Sequence, residues 1–297
     1  MHSTIGAFGY NSTVYDASNL SWKLGLCING AADSAVLLPT YDIERRLFSN
    51  RVIRYSGALL RFICRIEDPL PELRGVDEKL EVHQIALPNP KADNGEAGRW
   101  LGSFFHDAPP ILMSGLGFPL TNTILSPSQS ISPRPVQVAN GVRAPNPRVA
   151  LRKDSASYLY DALQGSGSRF HLLVFVSDLQ GSVRQKIVQL GTDGFGPRGF
   201  YQRYGGSNRF KVTVVVKAMP HNVAKLMAGS DLEQLRNVAQ VVYDDRAPDE
   251  DAHYSYAVNH AKGAVVVIRP DLVVGTSAWP DQTTALDAYF GSFLLEI

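Results

Sequence analysis

Cysteine is scarce. Only Cys27 and Cys64 occur in 297 residues, far apart and in no motif. That spacing argues against a disulfide framework or a zinc site and for two reduced thiols in a cytosolic protein. An excess of one charge is also missing: 29 basic residues against 28 acidic ones leave +1. A nucleic-acid surface needs a clustered basic excess, and a solvating tail needs an acidic one. Long hydrophobic runs are missing too. The longest, around 172–176, 212–216 and 264–268, fall far short of the ~20 residues a bilayer requires. The N-terminal stretch has neither the basic region nor the apolar core of a secretory signal. These absences predict a cytoplasmic protein with no membrane and no nucleic-acid partner. The seven histidines are scattered without metal-ligand spacing, and there is no Walker loop or G-x-S-x-G elbow, so no metal site is expected.

What is present is enough apolar sequence, 44% of residues, for real cores and roughly two domains. A helix is predicted over 12–27, where Val14, Ala17, Leu20, Leu24 and Cys27 recur at the spacing of one buried face. Thr13 and Asp16 have the spacing of a capping box, and Asn29-Gly30 ends the helix. A glycine-containing turn, Gly6-Ala7-Phe8-Gly9-Tyr10-Asn11, feeds the helix start. Free N–H groups and the helix dipole there favour an electron-rich ligand atom. A second helical stretch, about 35–66 and broken near Pro39, carries Glu44, Arg45, Arg46, Arg51, Arg54, Arg61 and Arg65, and reads as a solvated or domain-bridging face. Between 67 and 163 proline and glycine dominate. One helix is predicted near 95–106, and residues 124–148 read as a crossover whose prolines block helix and central strand.

From residue 169 the pattern changes. Residues 170–176 form a continuous apolar run, as in a strand covered on both faces. Helical and strand patterns then alternate. They end in a hairpin (264–268 and 272–275, turning at Arg269-Pro270-Asp271) and a last helix over about 282–294. That order, β-α-β-α-β-α-β-β-α, is the element string of a thioredoxin-like α/β domain. The position after the first strand reads Ser177-Asp178-Leu179-Gln180-Gly181, and this half of the chain has no thiol. Dithiol redox chemistry is therefore excluded. Residues 194–199 spell G-x-G-x-x-G. A dinucleotide site needs a strand before that motif and a helix after it; here a helix precedes and a strand follows, so the segment reads as a loop.

The helix-start segment and Asp16-Ala17-Ser18-Asn19-Leu20-Ser21-Trp22-Lys23-Leu24 together resemble the last FAD motif of class A flavoprotein aromatic hydroxylases. Leu38-Pro39-Thr40-Tyr41, followed by Glu44-Arg45, is similar to that family's L-x-T-Y-x-x-E-R. The stretch from Lys262 to Asp271, with Tyr289-Phe290, resembles the end of the phenol 2-monooxygenase (phenol hydroxylase) branch. The resemblance reaches both ends of the chain. It departs at Thr4 for a usual proline, at Ala7 for the second glycine, at Arg46-Leu47 where a proline would follow, and at Leu272 for the glycine of an RPDG turn.

The resemblance implies an α/β fold: the end of a flavoprotein-hydroxylase FAD domain, mostly helical here, followed by a thioredoxin-like domain. The expected divisions are 1–68 for the FAD-domain remnant, 69–131 for an irregular connection and 132–297 for a thioredoxin-like dimerisation domain without redox cysteines. It implies FAD as cofactor, NADPH as co-substrate, a phenolic substrate and a homodimer. The backbone at Gly9, Tyr10 and Asn11 would face the flavin N1/C2 oxygen edge, where negative charge develops on reduction. Asp16, Asn19 and Lys23 read as helix anchors. No catalytic residue is assigned, because the family's Rossmann fingerprint, its G-D motif and its phenol-activating residues have no counterpart among these 297 residues. The chain is thus expected to be the C-terminal part of an FAD-dependent phenol-type monooxygenase, binding flavin weakly or not at all by itself. The other reading is a non-catalytic folding or dimerisation module without flavin.

Overall fold

A computed structural model describes residues 8–64, 94–107, 119–120, 122–128, 134–152, 155–164, 167–177, 179–217, 222, 225, 227–244 and 251–297. The chain divides into two compact units. Residues up to 21 and 41–118 form one; 22–40 and 119–297 form the other.

In the first unit lie most of α1 (Phe8–Ile28), most of α3 (Pro39–Cys64) and α4 (Asn94–Asp107). Pro39 opens α3, where its missing N–H is no loss. Trp100 stacks between Phe62 and Phe104, with centroids 4.4 and 5.0 Å away. The predicted buried face of α1 is not the one buried. Val14 is 49% exposed and Leu24 38%, while Ser12, Asn19, Trp22, Lys23 and Leu26 are buried. Apolar periodicity was misleading because polar side chains on this helix find buried partners. Trp22 is packed inside the second unit.

The second unit is built on one seven-stranded sheet of order β2-β1-β5-β4-β3-β6-β7. Its strands are β1 (Arg148–Arg152), β2 (Ser155–Tyr158), β3 (Phe170–Ser177), β4 (Phe210–Val216), β5 (Ala239–Tyr243), β6 (Ala264–Ile268) and β7 (Val274–Ala278). Strands β3, β4 and β5 run parallel. Strand β6 is antiparallel to both β3 and β7. The three apolar runs singled out in the sequence are therefore adjacent in one sheet. The order β4-β3-β6-β7, with helices after β3 and after β7, is the thioredoxin-like arrangement; β5 and the β1–β2 hairpin extend it. The helices of this unit are α2 (Ser34–Leu37), α5 (Leu159–Leu163), α6 (Val183–Gln189), α7 (Phe200–Arg203), α8 (Glu233–Val238), α9 (Ala252–Ser255) and α10 (Thr283–Gly291).

Strand β3 explains its own composition. Phe170, Leu172, Val174 and Val176 point into one core, with Trp22, Leu26, Phe290 and Phe293. Leu173 and Phe175 point into the core on the opposite face, with Tyr256 and Ile268. A strand covered on both faces has no polar side to show. Residues 134–147, read as a crossover, pack onto this unit: Val136 and Ala144 are buried, and Val142 and Ala144 exchange backbone hydrogen bonds with the hairpin at Val274 and Leu272.

Smaller corrections concern element ends. The G-x-G-x-x-G segment is followed by α7 before β4 begins. The hairpin's second strand starts at Val274, two residues late. Leu272, which stands where the resembling turn has glycine, adopts φ 61°. A non-glycine residue there costs roughly 1–2 kcal/mol.

Candidate functional site

The candidate site is the start of α1. Gly9, Tyr10 and Asn11 lie in its first described turn, not ahead of the helix as the sequence suggests. The departures at Thr4 and Ala7 lie outside the described residues. That turn contains no acidic residue, Gly9 has no side chain, and Tyr10 is 80% exposed. The first turn itself thus places no negative side chain against the helix's positive end.

The segment is held from the side by α3. The Arg45 Nε donates to Asp16 Oδ1 at 2.6 Å, and its Nη2 reaches the Ser12 carbonyl at 3.5 Å. The guanidinium also lies 4.3 Å from the Phe48 ring centre, and Tyr15 meets that ring edge-on. One turn further along α1, Asn19 Nδ2 donates to Glu44 Oε2 at 2.8 Å. Glu44 and Arg45 are both buried, so these two residues of the second helix are not on a solvated face. Asp16 is taken by Arg45, and Thr13 Oγ1 donates back to the Gly9 carbonyl at 3.0 Å, a mid-helix bond. The capping box therefore does not form. Among the described residues of this unit, Ser12 Oγ and Asn50 Nδ2 are buried without a hydrogen-bond partner.

The end of the same motif serves the second unit. Trp22 meets Phe170 edge-on at 5.6 Å, and the Arg269 guanidinium lies 5.5 Å from its ring centre. Arg269 is fully buried. It donates to both Asp271 oxygens, at 3.0 and 2.6 Å, and to Ser126 Oγ at 3.3 Å. Lys23 is buried as well, with Nζ 5.7 Å from the Trp22 ring centre. Two stretches quoted for the family resemblance thus touch each other within this unit.

A second polar cluster lies where a thioredoxin-like domain would carry its thiols. Ser177, at the end of β3, donates its backbone N–H to His253 Nε2 at 3.3 Å. His253 Nδ1 is hydrogen-bonded to Asp244 at 2.5 Å. All three residues are buried. Burial pushes the Asp244 carboxyl up, but the His253 contacts and the N–H groups of Ala252 and His253 outweigh it and hold the carboxyl below its ordinary range. Sequence spacing missed this cluster, since its members are far apart in the chain; so did it miss the role of Glu44 and Arg45, although both sit in a quoted motif. Among the described residues, no group of three or more His, Cys, Asp or Glu side chains is placed to hold a metal ion. No helix among them is long and apolar enough to cross a membrane.

Comparison with known proteins assigns families to the two ends of the chain. Residues 120–297 match the family model of the phenol hydroxylase C-terminal dimerisation domain, and residues 1–56 match that of an FAD binding domain. An FAD-dependent monooxygenase of Aspergillus terreus is 50% identical over 294 residues, covering 99% of this chain and 41% of that protein. A 2,4-dichlorophenol 6-monooxygenase of Cupriavidus pinatubonensis is 32% identical over 94 residues, covering 31% of this chain and 16% of its own length. The crystal structure of aklavinone-11 hydroxylase with FAD and aklavinone shares the fold at a TM-score of 0.53 and 18% identity, covering 97% of this chain and 41% of that one. The chain thus spans about two fifths of the length of the Aspergillus relative. With the thioredoxin-like sheet and the matched model in agreement, the chain belongs to the family defined by the phenol hydroxylase C-terminal dimerisation domain, here preceded by a stretch that matches an FAD binding domain.

Proposed function

We propose that this chain is the C-terminal part of an FAD-dependent, NADPH-using monooxygenase that hydroxylates a phenolic ring, and that it pairs with a second copy through its C-terminal unit. The observation that carries the reading is the start of α1: a turn free of acidic residues, braced by Arg45 and Glu44. Backbone N–H groups at Gly9, Tyr10 and Asn11 suit the electron-rich edge of a flavin ring. FAD, when bound, supplies the electron transfer and oxygen chemistry. The chain's own part is to offer donors to that edge, to orient it through α1, and to hold α1 still. The divisions at about 68 and 131 belong to the same proposal.

Among the described residues, none forms the strand-turn-helix that grips a dinucleotide pyrophosphate. The purified 297-residue chain is therefore expected to be colourless and to bind FAD weakly. A chimera tests the function: the part of the Aspergillus terreus relative that precedes the matched stretch, joined to this chain. It is expected to purify yellow and to oxidise NADPH when a phenol is added. A colourless chimera, or one that leaves NADPH untouched across a panel of phenols, would sink the reading.

A further inference from the structure

We propose that His253 is a proton-sensitive latch on the end of β3. Ser177 adopts φ 45°, a left-handed conformation that a residue with a side chain holds only when its surroundings impose it. The pairing of β3 with β4 shifts register just before it, between Phe175 and Ser177. The backbone N–H at this strained position donates to His253 Nε2 at 3.3 Å. That bond requires Nε2 to be an acceptor, so the imidazole is neutral and carries its proton on Nδ1. Asp244 fixes this tautomer from the other side at 2.5 Å, and is itself held by the N–H groups of Ala252 and His253 at 2.8 and 2.9 Å.

The three residues resemble a nucleophile, base and acid set, but the geometry does not serve nucleophilic attack. His253 Nε2 is occupied by the Ser177 backbone, and Ser177 Oγ is buried with no partner. The arrangement serves the backbone. Protonating His253 turns Nε2 into a donor facing another donor, and the Ser177 bond is lost. Ser177 is then free to leave its left-handed conformation. Among the described residues, the other charged and titratable groups around the ring are His260, stacked on it with centroids 5.3 Å apart, and the Lys217–Asp251 pair at 2.7 Å. Phe175 and Tyr256, packed on each other at 5.0 Å, close the apolar side with Phe175 edge-on to the ring.

Nuclear magnetic resonance on the full 297-residue chain tests this between pH 8 and pH 5. Ring nitrogen shifts report the tautomer and protonation of His253, and hydrogen exchange reports the Ser177 amide. The expected result is an Nδ1–H tautomer at pH 8, and a fall in Ser177 protection of about five-fold, the equivalent of one hydrogen bond, with the midpoint of His253 protonation. The variant His260→Gln should keep the coupled response of the His253 ring and the Ser177 amide. An Nε2–H tautomer, a His253 ring that stays neutral to pH 5, Ser177 protection that does not follow the ring, or a response that disappears in His260→Gln overturns the proposal.

Discussion

Asn19 and Glu44, 25 positions apart, form a buried hydrogen bond of 2.8 Å that ties α1 to α3. Their neighbours Asp16 and Arg45 repeat the tie one turn away. A charged acceptor makes the Asn19 bond worth about 1.5–3 kcal/mol. Replacing Glu44 by Ala should destabilise the first unit by that order and leave the Asn19 amide buried. A double-mutant cycle with Asn19→Ala should show coupling of about 1 kcal/mol or more by thermal denaturation. Additive single effects would mean that the two side chains act independently.

Arg269 is the most exacting residue of the second unit. It is fully buried and holds both oxygens of Asp271 beneath Trp22. Removing one partner of a buried ion pair strands the other, at about 3–5 kcal/mol. Arg269→Ala should lower the unfolding free energy measured in urea by that much, and Arg269→Lys should recover only part, because an ammonium cannot bind both oxygens in a planar fork. Equal stability of Arg269→Lys and the unmodified chain would show that bidentate geometry is unimportant here.

Acid should weaken the fold through His171 in β3. Burial first, and then the charges of Lys211 and Arg169, depress this imidazole from 6.5 to about 4. The unfolded chain takes up the proton near pH 6.5 while the folded chain resists until about pH 4. The contribution is therefore complete above pH 6.5 and is lost as the pH falls through that window, by on the order of 3 kcal/mol. Urea unfolding of the chain and of His171→Leu at pH 7 and pH 4.5 checks this. The variant should have the shallower pH dependence, whatever its absolute stability.

The G-x-G-x-x-G glycines should matter to packing. A methyl group on Gly199 would lie 2.2 Å from the Gly194 carbonyl oxygen, and one on Gly196 2.1 Å from that of Thr192. Both neighbours are backbone and cannot swing aside. Gly199→Ala should destabilise by about 1–3 kcal/mol, read as a lower melting temperature. A melting temperature equal to that of the unmodified chain would show that the 194–199 turn relaxes freely.

Much of the C-terminal half was legible in advance. Strands β3, β4 and β6 are unbroken apolar runs because both faces of the sheet are covered, and their order along the chain already spells the thioredoxin-like topology. The motifs likewise pointed to the family before any geometry was known. The face of α1 was not legible. Periodicity counts apolar residues, and α1 buries Ser12, Asn19 and Lys23 while exposing Val14 and Leu24. A partner distant in the chain decides that choice at Asn19, which Glu44 satisfies. The same holds for Ser177, His253 and Asp244, whose side chains are ordinary in sequence. Composition and local pattern determined which segments become strands and helices, through backbone preference and burial of apolar surface. Only the tertiary structure decided which polar groups go inside, because a buried polar group is stable only when a partner from another segment meets it.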